Sequence, residues 1–300
     1  MADPVLLVAG SLHLDVIVHA PRLPRLDETV PGSTSHQAFG GKGGNQAVSA
    51  ARMGARVHMA GAVGSDGFAA PLLAALDAAR VDRGQVARLG GPSGMSVAIL
   101  DPAGGYGAVI VSGANLMIRA EDIVFPEGCG MILMQNEIPA DVNLALALRA
   151  RAAGIRTVLN AAPAREVPPA LMQALDLLVV NRVEAADMTG IDEARLEPET
   201  AAEALAAMGP GAVIVTLGGD GLVGVAGGAT FRQPGRAVDV ISTHGAGDAF
   251  LGALAAEWLT GITLEGAAAF GQAAAALHVS TPVDRRGAVT AAAVRALMAD

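Results

Sequence analysis

Short apolar runs alternate with segments of helical period along most of this chain. "VLLVAG" (5–10), "VHMAGAVG" (57–64), "MILMQN" (131–136), "TVLNAAP" (157–163), "LLVVN" (177–181) and "AVIVTLGG" (212–219) are brief and almost unbroken by polar residues. Such runs predict strands buried on both faces. Between them, "NQAVSAARMG" (45–54), "VNLALALRARAAG" (142–154) and "AAEALAAMG" (201–209) show helical spacing and close on glycine, a common helix stop. The alternation predicts an α/β fold with a mostly parallel central sheet flanked by helices. Ligands of such sheets gather at the carboxyl ends of the strands.

Two stretches break the rhythm. Residues 12–39 and 93–112 carry strand and turn signals without helices between them, and predict a small separate β-sheet over one edge. No repeat or low-complexity linker divides the chain, so residues 1–300 read as a single domain. Acidic residues concentrate in "IDEARLEPET" (191–200), which reads as a solvated loop and helix start. The last forty residues are alanine-rich and helical, interrupted by "STPVDRRGAVT".

Composition narrows the class. Hydrophobic residues make up 52% and charged residues 16%, with a mean hydropathy of +0.45, ample for a large core. Aromatics are only 3%, so Ala, Val and Leu must fill that core. A net charge of −9 weighs against nucleic acid or an anionic membrane as partner. The lone Cys129 makes no internal disulfide and suits a reducing cytoplasm. The opening "MADPVLLVAGSLHLDVIV" is broken by Asp3, Gly10 and Asp15 and reads as a buried strand rather than a signal peptide. No run reaches the roughly 18 apolar residues of a membrane span.

Two glycine-rich loops carry the candidate chemistry. In "STHGAGDAFLGALAAEW" (242–258), Gly245 and Gly247 precede a helix marked by Phe250, Leu251, Leu254 and Trp258. The first amides of a helix lack internal partners and attract anions, and glycine lets an anion approach them. Asp248 beside them either caps the helix or serves a reaction; this stretch alone leaves both readings open. "FGGKGGNQAVSAARMG" (39–54) likewise turns from glycines into a helix, with Lys42 and Asn45 at the junction. Lys42 has no core to pack against there, and Asn45 offers both donor and acceptor, which suits a polyol or phosphate. The phosphate-loop pattern is absent, since Gly43 follows Gly41-Lys42. One G-x-G-x-x-G runs from Gly219 to Gly224, but strand-like sequence follows it, so it reads as a turn between strands. The six histidines show no metal-ligand spacing.

Taken together, "GGKGGNQAVSAARMGARVHMAGAVGSDGF" and "STHGAGDAFLGAL" resemble the two signature regions of the PfkB (ribokinase-like) carbohydrate kinases. "GSLHLD", "MQNEIP", "LNAAPARE", "NRVEA" and "VTLGGDG" fit in order, so the resemblance covers essentially the whole chain. It implies a ribokinase-like fold whose β lid is formed by residues 12–39 and 93–112, pairing two subunits as a homodimer. It implies ATP and Mg²⁺ as cofactors and a sugar's primary hydroxyl as acceptor, ribose first. Asp248 would be the base, and Gly245, Ala246 and Gly247 the anion hole. So near an electropositive helix end, Asp248 should be a weak base that orients the hydroxyl and takes its proton late. Sugar recognition would fall to Asp15, Gly41, Lys42, Asn45 and Glu137, with His13 beside them. Asn181 and Glu184 match the family's N-x-x-E, Glu184 serving Mg²⁺ through water. Thr216, Gly218 and Gly221 would border the nucleotide, with Gln272 near adenine. Without the resemblance, Asp15 reads as a strand-end residue, Glu137 as a helix start and Glu184 as a surface helix residue.

Two departures from the family pattern bear on specificity. His13 stands where asparagine is usual in G-S-x-N-x-D, which changes shape and polarity beside the sugar. Nucleoside, pseudouridine, fructose and ketodeoxygluconate kinases therefore stay as alternatives, as does a non-catalytic sugar-binding regulator. Ser242 replaces the usual aspartate of a monovalent-cation site, which weakens the case for K⁺. Arg285 and Arg286 either take over that cation's electrostatic role or are solvated.

Overall fold

Every residue of the first strand, β1 (Val5–Ala9), is buried, because strand faces alternate and both are covered. Leu6 and Val8 pack into one apolar cluster, Leu7 and Ala9 into another on the opposite side. The computed structural model describes residues 4–102 and 105–299, so residues 103 and 104 of the expected lid lie outside the described residues.

β1 belongs to a nine-stranded sheet. Its other members are β4 (Arg56–Val63), β5 (Asp82–Arg88), β8 (Cys129–Gln135), β9 (Arg156–Asn160), β10 (Leu177–Asn181), β11 (Ala212–Thr216), β12 (Leu222–Ala226) and β13 (Ala229–Gln233). The spatial order is β13-β12-β11-β10-β9-β8-β1-β4-β5. Neighbours from β5 to β11 run parallel, and β12 and β13 add an antiparallel hairpin. The chain winds from β1 to β4 and β5 on one side, and from β8 to β11 on the other. The crevice between the carboxyl ends of β1 and β8 is therefore the switch point where such sheets bind ligands.

Helices cover both faces. α1 (Lys42–Arg52), α2 (Ala69–Ala78), α7 (Ala246–Leu259), α8 (Leu264–Ser280) and α9 (Ala291–Ala299) pack on one; α3 (Ala140–Ala152), α4 (Pro169–Met172), α5 (Arg182–Thr189) and α6 (Pro198–Ala206) pack on the other. Small residues let α1 and α7 approach closely. A Cβ on Gly252 would lie 2.6 Å from the Gln46 carbonyl oxygen, so no larger residue fits that crossing unshifted.

The helix-poor stretches form a second, four-stranded sheet of β2 (His13–His19), β3 (Thr34–Gly40), β6 (Gly94–Leu100) and β7 (Tyr106–Val111), ordered β3-β2-β6-β7. Only β2 and β6 pair in parallel. Two edge strands of the large sheet have no apolar run in the sequence. β5 ("DRGQVAR") and β13 ("ATFRQ") are polar because an edge faces solvent and charge there discourages stray pairing.

Candidate active site

Asp248 is the third residue of α7, which begins after Gly245 in the left-handed region (φ 76°). Its side chain does not cap the helix. Instead its carboxylate accepts from Asn45 Nδ2 at 3.1 Å and from Gln46 Nε2 at 3.0 Å, both on α1. The two glycine loops thus converge through one carboxylate and two neighbouring amides. Gln46 also donates to Asn160 Oδ1 at 3.1 Å and accepts from Gln135 Nε2 at 2.8 Å. These partners sit at the carboxyl ends of β9 and β8, so Asp248 is wired to the sheet floor. Gln46 was not among the residues expected from the sequence: its full burial among the small residues of α1 is visible only in the fold.

Burial pushes the Asp248 carboxyl above its ordinary range, against the pull of Lys42 and the two amides. This is opposite to the weak base expected from the helix end alone, since desolvation outweighs the helix amides. Of those amides, Ala246 N–H already donates to the Thr243 carbonyl at 3.1 Å. Gly245 and Gly247 are left as amides without an acceptor among the described residues, and a Cβ at Gly247 would meet nothing within 4 Å.

A cavity of about 910 Å³ opens beside Asp248. Its wall includes Asp15, Asn45, Arg52, His244 and His278, together with apolar residues of the second sheet such as Ile17 and Leu100. Asp15 is buried and accepts from the Ser96 hydroxyl on β6. Its other oxygen lies 4.0 Å from His244 Nε2, so the second sheet and the glycine loop approach each other there.

Lys42, Gly41, His13 and Glu137 form an adjoining cluster at the switch point. The Glu137 carboxylate accepts the Lys42 backbone N–H at 2.8 Å and the Ser11 hydroxyl. It therefore fixes the start of α1 rather than starting the helix that follows it. Gly41 caps that start at φ 85°. His13, only 2% exposed, stands 4.0 Å from Glu137, and burial pushes its pKa down despite that carboxylate. It is a neutral imidazole at neutral pH. The Lys42 charge also lowers the pKa values of Asp248, Glu184 and His13, against the larger effect of burial on the two carboxyls.

The residues expected around a nucleotide lie further along the same strand ends. Asn181 and Thr216 are register partners on β10 and β11. Asn181 caps α5 by accepting the Glu184 N–H, and Glu184 returns the bond to the Asn181 N–H, each at 2.8 Å. Glu184 is buried rather than on the surface, and burial pushes its carboxyl up. Gly218 and Gly221 form the tight turn between β11 and β12, as expected of the lone glycine match. Gln272, on α8, donates to Gln233 Oε1 at 2.8 Å. Ser242 presents its carbonyl to Arg286, which is buried, while Arg285 is exposed. Burial raises the Cys129 thiol, which suits a core filler and not a nucleophile.

The family model described as pfkB family carbohydrate kinase matches residues 4–290. Ribokinase of Haemophilus influenzae is 31% identical over 285 residues, covering 92% of each chain. Ribokinase of Bacillus subtilis is 33% identical over 279 residues, covering 91% of this chain and 92% of its own. Among solved structures, Arabidopsis thaliana ribokinase complexed with ribose and ATP is similar with a TM-score of 0.89 at 29% identity, covering 99% of both chains. Ribokinase of Thermotoga maritima gives 0.90 at 28% identity, covering 99% of this chain and 100% of its own. With a half-buried carboxylate at a glycine-loop helix start and a family match along almost its full length, the chain belongs to the pfkB family of carbohydrate kinases, phosphotransferases that act on a sugar hydroxyl.

Proposed function

We propose that the chain transfers the γ-phosphoryl group of ATP to the primary hydroxyl of ribose, giving ribose 5-phosphate and ADP. The observation that carries this reading is Asp248, aimed by Asn45 and Gln46 beside two unpaired amides and an open cavity. The primary hydroxyl donates to Asp248 and attacks the γ-phosphorus in line as the bond to the ADP oxygen breaks. Its proton passes to Asp248, whose raised pKa suits the task. The Gly245 and Gly247 amides stabilise charge on the transferring group. Asp15 accepts from two neighbouring sugar hydroxyls and selects a vicinal diol. Asn181, Thr216, Gly218, Gly221 and Gln272 border the nucleotide.

Among the described residues no cluster of three His, Cys, Asp or Glu side chains is placed to hold a metal. Mg²⁺ fits this chemistry because it keeps waters and takes phosphate oxygens with one carboxylate. Glu184, one of whose oxygens is engaged by the Asn181 N–H, would supply that carboxylate through water, and the ion would neutralise phosphate charge.

A second reading, a nucleoside as acceptor, is favoured by size. The cavity is near the top of the roughly 300–1,000 Å³ of small-molecule sites, and more than a pentose fills. His19 and His36 stack on its lid side, with ring centroids 5.9 Å apart, and offer a flat face to a base.

The same reading takes the chain as a homodimer joined through the lid. Edge strand β7 leaves Val109, Ile110 and Val111 exposed at 68%, 52% and 47%. No described helix is long and apolar enough to cross a membrane, and we place the enzyme in the cytoplasm.

ADP release with ribose, adenosine, inosine, pseudouridine, fructose and ketodeoxygluconate tests the substrate, with the product identified by mass and NMR. Ribose 5-phosphate is the expected product. Preference for a nucleoside would move the assignment to the second reading. No turnover with any of them, alongside thermal stabilisation by ribose, would favour a sugar-binding regulator.

A further inference from the structure

Arg286 sits in a short 3-10 turn, Val283–Ala288, and is only 7% exposed. Its Nη1 donates to the His244 carbonyl and its Nη2 to the Ser242 carbonyl, each at 2.9 Å. Its Nε is buried without a partner among the described residues. Among the described residues no carboxylate makes an ion pair with it, and burial pushes the guanidinium pKa down. A buried guanidinium without a counter-ion is costly, so the two carbonyl dipoles are what hold it.

On the guanidinium side the neighbours of those carbonyls are basic, while the Asp15 carboxylate reaches only the His244 ring, 4.0 Å from Nε2. His278 Nε2 meets the same His244 oxygen at 3.0 Å. A carbonyl only accepts, so His278 carries its proton on Nε2. Burial, with Arg286, Arg52 and His244 nearby, lowers its pKa to about 4, which leaves it neutral near pH 7. Arg52 on α1 donates to the Arg286 carbonyl at 3.2 Å, tying this turn to the helix that carries Asn45 and Gln46.

The peptide unit is planar and trans, so its C=O and N–H point in opposite directions. Holding the His244 carbonyl on Arg286 therefore directs the Gly245 N–H away from the guanidinium. That N–H is one of the two unpaired amides beside Asp248. Two carbonyls from residues i and i+2 converging on one positive charge are what a small dissolved cation would gather. Here the chain supplies the charge itself.

We propose that Arg286 is a positioning residue, a built-in cation that locks the Ser242 and His244 carbonyls and presents the Gly245 amide to the transferring phosphoryl group. Turnover consequently needs no added monovalent cation. The inference rests on the kinase reading above.

The test compares wild type, Arg286→Met and Arg286→Lys, each assayed for ADP release with ribose in Tris buffer with and without KCl. Wild type is expected to change less than about twofold with K⁺. In Arg286→Met, kcat falls by about ten- to a hundredfold, the scale of a small misplacement at a reacting centre, while KM for ribose stays within about threefold. Guanidinium at millimolar concentration or K⁺ restores part of that loss, and Arg286→Lys retains more activity than Met. Strong K⁺ activation of wild type, or an unchanged kcat in Arg286→Met, overturns the proposal. The wild-type comparison decides even if the variants fail to fold. Hydrogen–deuterium exchange over residues 242–247 reads the same positioning without turnover: faster exchange in Arg286→Met, with α1 unaffected, supports it, and unchanged exchange overturns it. Absence of wild-type turnover with every acceptor would remove the kinase reading instead, and the exchange comparison alone would then judge Arg286.

Discussion

Gln46 Nε2 lies 3.0 Å from Asp248 Oδ1, although 202 residues separate the two in sequence. One amide thus joins α1, α7 and the carboxyl ends of β8 and β9. Gln46→Met removes a hydrogen bond from the charged form of Asp248, so its carboxyl rises further. The acid limb of kcat/KM against pH is expected to move to higher pH. Stability should fall by about 1–3 kcal/mol, because Asn160 and Gln135 lose a buried partner. Rate–pH profiles and urea denaturation check both; an unmoved acid limb would separate Gln46 from the base.

Gly252 sets the distance over which that amide reaches. Gly252→Val drives a side chain into Ser49 and the Gln46 carbonyl. Overpacking of this kind costs about 1–3 kcal/mol. Activity should fall beyond what stability explains, since α7 carries Asp248 four residues earlier. Urea midpoints and kcat at a temperature where both proteins are folded make the comparison.

His278 makes stability depend on pH. The unfolded chain protonates this side chain as pH falls through 6.5, whereas the folded chain resists until about 4. The unfolded state binds the extra proton in that window, so this contribution is intact above pH 6.5, is lost on the way down, and levels off below about 4. Glutamine keeps a donor for the His244 carbonyl without titrating. Denaturation at pH 7.0, 5.5 and 4.5, chosen to span about this window, should show a shallower decline in His278→Gln than in wild type.

The apolar edge of β7 predicts a lid-mediated dimer. Val109→Lys places a charge on that strand and should shift sedimentation toward the monomer, with little change in stability of the single chain. A monomeric wild type at micromolar concentration would contradict the lid interface.

Legibility in the sequence followed burial. β1, β8, β10 and β11 are apolar on both faces, so their runs stood out and implied the parallel sheet. β5 and β13 border solvent on one edge, and their polar composition hid them. The second, four-stranded sheet was legible because residues 12–39 and 93–112 lack helical period. In the site, the glycine loops exposed Asp248, Lys42 and Asn45, whose chemistry is unusual in such surroundings. Gln46, Ser11 and Asn160 act through long-range hydrogen bonds that leave no local pattern. Glu184 looked like a surface residue because a capping box and burial are properties of the folded helix end, not of "NRVEA". For Arg286 the sequence left open a cation's electrostatic role or solvation, and only the turn at 283–288 buries it against the His244 carbonyl.

The role of Asp248 as base for phosphoryl transfer to a sugar hydroxyl is read by single-turnover formation of sugar phosphate in wild type and Asp248→Asn. The amide is nearly isosteric, so ribose binding by calorimetry should persist while the chemical step slows by about 10²–10⁴-fold. A chemical step in Asp248→Asn as fast as in wild type would show that Asp248 is not the base.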